Sequence, residues 1–190
     1  MLIAEALNLG GLIKEEGYIL KTGGYEVVDL GDDVYTQGKP HPMIDPEVRI
    51  KKILECAKDP QTGVILLDCM LGYGCHPDMA GALAPAIREA QEIAKADGRE
   101  LYFVASVCGT RQDPQDYDRA VAELKECGVL VEESNARAIR LALKLKGIDY
   151  KENTRGHVEA AVDETPLPEP DEKIMELLNT KPRVINVGVR

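Results

Sequence analysis

The sequence predicts an α/β fold built on a parallel sheet. Three observations predict it: apolar runs of strand length at residues 64–71, 101–107 and 129–131, longer helix-patterned stretches between and after them, and glycine-bearing turns at the junctions. Strands that alternate with helices of this length form βαβ crossovers, and crossovers of that kind build parallel sheets. At 190 residues, 44% hydrophobic and 29% charged, the chain fits one globular domain with a core plus a peripheral segment.

Residues 1–13 are mildly helical but are interrupted by Gly10 and Gly11, and they read as a segment cut from something larger. Residues 18–21 and 25–30 are short β-prone runs joined by Thr22-Gly23-Gly24, which suits a tight turn, so a β-hairpin is expected. Residues 35–46 hold Gly38, Pro40, Pro42 and Pro46, and proline at that density favours a long loop. Asp45 is placed to cap a helix that starts with Pro46, runs to about Ala57, and sets Val48, Ile53 and Leu54 near one side. The run 64–71 is apolar almost throughout, as a strand covered on both faces should be. A glycine-rich loop at 72–76 then leads to a long helix over 77–96. After the strand at 101–107, Gly109-Thr110 leads to Asp113 as cap, Pro114 in the first turn, and a helix ending at Cys127 before Gly128. Ser134 or Asn135 caps a last helix reaching about Lys146. Beyond that the composition turns polar: residues 163–171 carry three prolines and four acids and read as a linker, followed by a short helical piece at 174–178 and a β-prone tail at 183–189.

Composition excludes several classes. A net charge of −10, no tryptophan and a single Phe103 leave neither the basic footprint nor the aromatic surface that nucleic-acid binding uses. No run approaches the roughly 20 apolar residues of a membrane helix, and the N-terminus lacks the regions of a signal peptide, so a soluble, cytoplasmic protein is expected. Five cysteines, Cys56, Cys69, Cys75, Cys108 and Cys127, form an odd set without a CxxC pair, which points to reduced thiols rather than a disulfide framework.

Ligands of parallel sheets sit beyond the carboxyl ends of the strands, where loops lead into helices. Two loops qualify. In the first, Gly72 and Gly74 permit close backbone approach, and free N–H groups there would hold a phosphate or carboxylate; His76 would add a proton donor or a nucleophile for phosphate. The same glycines also suit a plain strand-to-helix turn. A metal site from Cys75 and His76 is not expected, since adjacent side chains do not readily share one tetrahedral ion. In the second loop Gly109, Thr110 and Arg111 would grip an anion together, against the alternative that Asp113 occupies the same N–H groups as a cap. A third segment, 31–45, gathers titratable groups, Asp33, Lys39 and His41 among them, in a proline-stiffened loop. Asp68, inside an apolar strand, reads as a hydrogen-bonded structural acid.

These loops resemble the FdrA family, acyl-CoA-synthetase-like proteins related to the α-subunit of succinyl-CoA synthetase. The resemblance rests on Asp29-Leu30-Gly31-Asp32-Asp33 leading to Gly38-Lys39-Pro40-His41-Pro42-Met43-Ile44-Asp45-Pro46, on Leu66-Leu67-Asp68 with Gly72-Tyr73-Gly74, and on Gly109-Thr110 with Asp113-Pro114-Gln115. It covers about residues 25–146. It implies a flavodoxin-like domain over 25–147, a three-layer parallel sheet with helices on both faces, preceded by an N-terminal segment and hairpin start at 1–24 and followed by the linker and short tail at 148–190. Relatives of the succinyl-CoA synthetase type carry a phosphorylated histidine in a Gly-His-Ala-Gly-type loop and a glutamate that supports it. This chain has no histidine between Leu101 and Cys127, and Met70-Leu71-Gly72 stands in the glutamate's place, so the resemblance implies a phosphohistidine route only with His76 or His41 in that role. It implies an enzyme part that handles small phosphate- or carboxylate-bearing anions, by carbamoyl transfer in oxamate and allantoin catabolism or by ADP-forming acyl-CoA ligation; the alternative, to which the acidic linker and the β-prone tail point, is a non-catalytic dimerisation or scaffold module. His41, His76 and Asp33 are the expected catalytic residues, and Gly72, Gly74, Gly109, Thr110, Arg111 and Lys39 the expected anion binders. CoA or a nucleotide would come with a partner domain, and another subunit or domain, or a homo-oligomer, would complete the assembly.

Overall fold

A computed structural model describes residues 16–22 and 24–148. The mildly helical residues 1–13, the linker, the short helical piece at 174–178 and the β-prone tail lie outside the described residues. The described chain opens with a hairpin, β1 (Tyr18–Thr22) and β2 (Tyr25–Val28), paired antiparallel with Thr22 opposite Tyr25 and a bulge between Tyr18 and Leu20. A one-turn helix, α1 (Asp33–Thr36), follows in the segment expected to be all loop. Asp32 caps it by accepting from the Val34 N–H.

The remainder alternates as expected: α2 (Glu47–Lys58), β3 (Val64–Met70), α3 (Met79–Ala96), β4 (Tyr102–Cys108), α4 (Tyr117–Glu126), β5 (Leu130–Glu132) and α5 (Asn135–Leu145). The three strands form a parallel sheet in the order β3-β4-β5, with Val64 opposite Tyr102, Met70 opposite Cys108 and Ser106 opposite Glu132. Period-two alternation divides the sheet between two helical layers. Phe103, Ala105 and Val107 of β4, with Cys69 and Val129, pack under α2, α3 and α4. Val104 and Ser106 alternate with them toward α5, which contributes Ala138 and Leu143. This is the three-layer α/β architecture of a flavodoxin-like domain.

α3 lies between α2 and α4, and its sequence suits that place. Ala80, Ala84, Ala86, Ala90 and Ala94 are buried in it, and side chains this small let neighbouring helices approach from two sides. β3 is the outer strand, with β4 as its one neighbour among the described residues. The expected cover on both faces is therefore not seen: apart from buried Cys69 and exposed Asp68, its side chains are only partly buried.

Two helices depart from expectation. The inward stripe of α2 is Arg49, Ile53 and Ala57, one helical turn apart, so a charged residue occupies a core position. Arg49 is accommodated because its guanidinium donates to the Asp68 carbonyl oxygen and to the Asp68 carboxylate at 3.0 Å. α4 begins at Tyr117 rather than at Pro114, because Asp116 takes the capping role and accepts from the Arg119 N–H at 2.9 Å. Residues 109–115 thereby become a free-standing loop at the carboxyl end of β4.

Candidate functional site

Three segments meet at the carboxyl end of the sheet. The first leaves β3. Leu71 is buried and its N–H donates to the Cys108 carbonyl, which extends the β3–β4 pairing by one step. At Gly72 (φ +128°) and Gly74 (φ +85°) the backbone then enters conformations open to glycine and strained for other residues. The turn closes through the Cys75 N–H to the Gly72 carbonyl at 3.2 Å. It leads to α3, capped by Asp78, which accepts from Gly81 and also pairs with Arg119.

Segment 31–45 is tied to this loop by the His76 N–H, which donates to the Met43 carbonyl at 2.7 Å. His41 and Met43 form one turn, with the Ile44 N–H returning to the His41 carbonyl at 2.8 Å. His41 is exposed but lies over Gly31: its Nε2 is 2.6 Å from where a Cβ on Gly31 would stand, so a side chain at 31 would displace the imidazole. Asp29 holds the Gly31 N–H at 2.9 Å. Asp33 and Lys39 are exposed, Asp33 as the first residue of α1 and Lys39 in the turn after it. Among the described residues, neither is hydrogen-bonded to a glycine loop.

The second glycine loop is joined to the first by one side chain. Gln115 accepts from the Gly72 N–H at 2.9 Å and donates to the Gly72 and His76 carbonyls at 3.0 and 3.2 Å. Gly109 passes so near Leu71 that an added Cβ would lie 2.6 Å from the leucine Cβ. Beyond it the loop bonds to itself: the Thr110 N–H to the Asp113 carboxylate at 2.6 Å, the Gln112 N–H to the Thr110 hydroxyl at 3.2 Å, and the Asp113 N–H to the Thr110 carbonyl at 3.2 Å. Arg111 lies over the Tyr117 ring and makes two hydrogen bonds to Asp118, at 2.9 and 2.8 Å. That pairing holds the Asp118 carboxyl below its ordinary range and raises Arg111. A depression of about 350 Å³ beside this loop is lined by Asp113, Asp116 and Asp118 as well as Arg111, a surface weighted against anions.

The two histidines share one arrangement. Nδ1 of His41 accepts from the Met43 N–H at 3.2 Å, and Nδ1 of His76 accepts from the Asp78 N–H at 3.0 Å. In the neutral ring this puts the proton on Nε2. Each imidazole therefore offers an N–H, with its one lone pair already engaged.

Thiols surround the same end of the sheet. Burial pushes Cys69 up to about 11, with Arg49 opposing. Burial also raises Cys75, helped by Asp113 and Cys108 nearby. Cys108 is exposed. Within residues 72–76, the N–H groups of Tyr73 and Gly74 have no acceptor among the described residues, while those of Gly72, Cys75 and His76 are taken. Tyr73 is 91% exposed.

Sequence reasoning did not assign roles to Gln115, Arg49 or Arg119. For Gln115 a signal was present, since Asp113-Pro114-Gln115 is one of the motifs that carry the family resemblance. For Arg49 there was none, because a lone arginine on a helix ordinarily faces water.

The residues at this mouth do not fit CoA or a nucleotide diphosphate. Such groups need several free cations or a longer row of donors, whereas Arg111 and Arg119 are committed to Asp118 and Asp78, which leaves Lys39 as the one cation of these segments without a carboxylate partner among the described residues.

A family profile described as CoA-ligase matches residues 2–145, a span that includes all three segments. The uncharacterized protein YahF of Escherichia coli (strain K12) is 44% identical over 115 residues, which are 60% of this chain and 22% of that protein. The match thus spans about a fifth of the length of that relative. Among the described residues no helix is long and apolar enough to cross a membrane.

Proposed function

Because the chain belongs to the CoA-ligase family, we propose that it is the anion-handling module of an acyl-CoA-synthetase-like enzyme whose remaining parts, including any CoA or nucleotide site, lie on other domains or subunits. The observation that carries this reading is the pair of unengaged N–H groups at Tyr73 and Gly74, at the carboxyl end of a parallel sheet, in a loop braced by the other two segments. Those donors suit one phosphate or carboxylate group of a small substrate. In this reading His76 and His41 supply Nε2–H donors, and Asp33, Lys39, Gly109 and Thr110 supply the remaining contacts to the substrate. Arg111 joins them only if it leaves Asp118.

An FdrA-type enzyme is the finer assignment, and the Gly38–Asp45 motif supports it. Within that assignment, one observation favours carbamoyl transfer over a phosphohistidine route: neither histidine has a free lone pair for a phosphoryl group. In such a transfer a phosphate oxygen attacks the carbamoyl carbon and the carbon–nitrogen bond breaks. The departing nitrogen takes the electron pair and a proton, which a histidine Nε2–H is suited to supply.

Two measurements separate the readings. Calorimetric titration of the full chain with inorganic phosphate, and then with acetate or oxamate, should show binding and mutual competition; no binding of either class would sink the anion-handling reading. Intact-mass measurement after incubation with ATP or acetyl phosphate should show no phosphoryl adduct. An adduct on His76 or His41 would restore the ligase route.

A further inference from the structure

Gln115 lies in the second glycine loop, but its side chain works in the first. One primary amide holds both backbone groups of Gly72, accepting from its N–H and donating to its carbonyl, and reaches the His76 carbonyl with its second N–H. This is the pairing that a neighbouring strand would give Gly72, provided by a side chain 43 residues away. The effect on the loop is specific. The Gly72 N–H is removed from the donors facing the mouth, and its carbonyl is held where the Cys75 N–H also reaches it. His76 is fixed at its carbonyl by Gln115 and at its N–H by Met43. A loop fastened at both ends leaves Tyr73 and Gly74 between the fastenings, with their N–H groups turned to no protein acceptor among the described residues.

We propose that Gln115 is a positioning residue: resting on the anion-handling reading above, it presets the Tyr73–Gly74 amides so that a phosphate or carboxylate meets them already aligned. Fixing donors before the ligand arrives raises affinity by removing an ordering cost that binding would otherwise carry. Few side chains can do this. A neutral primary amide has an acceptor and two donors on one fork. Glutamate would set a carboxylate against two carbonyl oxygens, asparagine stops one methylene short, and leucine fills the space without bonds. Asp113-Pro114-Gln115 then reads as one device with two outputs. Asp113 closes the second loop on Thr110, Pro114 has no backbone N–H to compete, and Gln115 shapes the first loop.

The test uses the full chain with Gln115→Leu, Gln115→Glu and Gln115→Asn, read by three measurements: amide hydrogen exchange at Gly72, calorimetric titration with inorganic phosphate, and urea denaturation. The expected result is that wild type protects the Gly72 N–H and binds phosphate. Leu should lose that protection, Glu should keep an acceptor for the Gly72 N–H but lose both donors to the carbonyls, and both should bind about ten-fold or more weakly, the scale of a few lost neutral hydrogen bonds. Glu should be the weakest and Asn intermediate, while the urea midpoint barely moves. A residue that only supported the fold would lower affinity in step with stability, and that correlation would overturn the proposal. If wild type binds phosphate and the Leu and Glu variants bind it equally well, Gln115 has no positioning role while the anion site stands. If wild type protects Gly72 but binds neither phosphate nor carboxylate, the anion-handling reading fails and the positioning role goes with it. Should Gln115→Leu fail to fold, Gln115→Asn decides between these outcomes.

Discussion

Two glycine loops leave the same end of one sheet, and they differ in where their bonded backbone donors find acceptors. Residues 109–115 bond largely to themselves: Thr110, Gln112 and Asp113 donate within the loop and the Arg111 guanidinium is held by Asp118, while the backbone N–H groups of Arg111 and Gln115 have no acceptor among the described residues. Residues 72–76 have one internal bond, from the Cys75 N–H to the Gly72 carbonyl, and are otherwise held from outside by Gln115 and Met43, with the Tyr73 and Gly74 N–H groups remaining. The lesson is that glycine content and position at a strand end do not make an anion site. What separates the loops is an internal carboxylate, Asp113, which one has and the other lacks.

The strongest way to break this contrast is to remove the backbone freedom of the first loop. Gly72→Val places a β-branched side chain at φ +128°, and such strain costs about 1–3 kcal/mol. Phosphate binding should be lost and the urea midpoint lowered; retained binding would show that the loop's shape is irrelevant. Next in size is Asp113→Ala, which frees the Thr110 N–H and should give the second loop measurable phosphate affinity, read by calorimetry in a Gly72→Val background. If no binding returns, the internal carboxylate is not what separates the loops.

A third effect is set by burial. Cys69, pushed up to about 11 from its ordinary 9.0, keeps its proton in the folded chain over a range where the unfolded chain has lost it. The folded state then binds more protons, so stability falls as pH rises. The contribution is fully present below about pH 9, is lost toward pH 11, and is on the order of 2 to 3 kcal/mol. Cys69→Ser, which ionises in neither state, should flatten that part of the stability profile measured by denaturation between pH 8 and 11. In the same range, alkylation should reach exposed Cys108 well before Cys69. The smallest effect belongs to Arg111→Ala: with the guanidinium already given to Asp118, phosphate affinity should stay within about two-fold of wild type. A larger fall would mean that Arg111 changes partner when the anion binds.

Much of the fold was legible because periodicity and turn chemistry are local. The three parallel strands lie within a residue or so of the apolar runs that announced them, and Ser134, one of the two expected caps, caps α5. The start of α4 was misplaced because Asp113-Pro114 and Asp116 are both good helix-start signals, and only the commitment of Asp113 to Thr110 decides between them. Arg49 escaped notice for a related reason: its burial depends on Asp68, nineteen positions away. The candidate loops were legible as loops. Which of their N–H groups stay open was not, because that follows from Gln115 and Met43, contacts made across the sheet's end that no local pattern encodes.

The most direct test is a ¹H–¹⁵N titration of the full chain with inorganic phosphate, following the amides of both loops together. Tyr73 and Gly74 should shift and saturate on a single binding curve while Thr110 and Gln112 hold still. Shifts at Thr110 and Gln112 with Tyr73 and Gly74 unmoved would contradict the account.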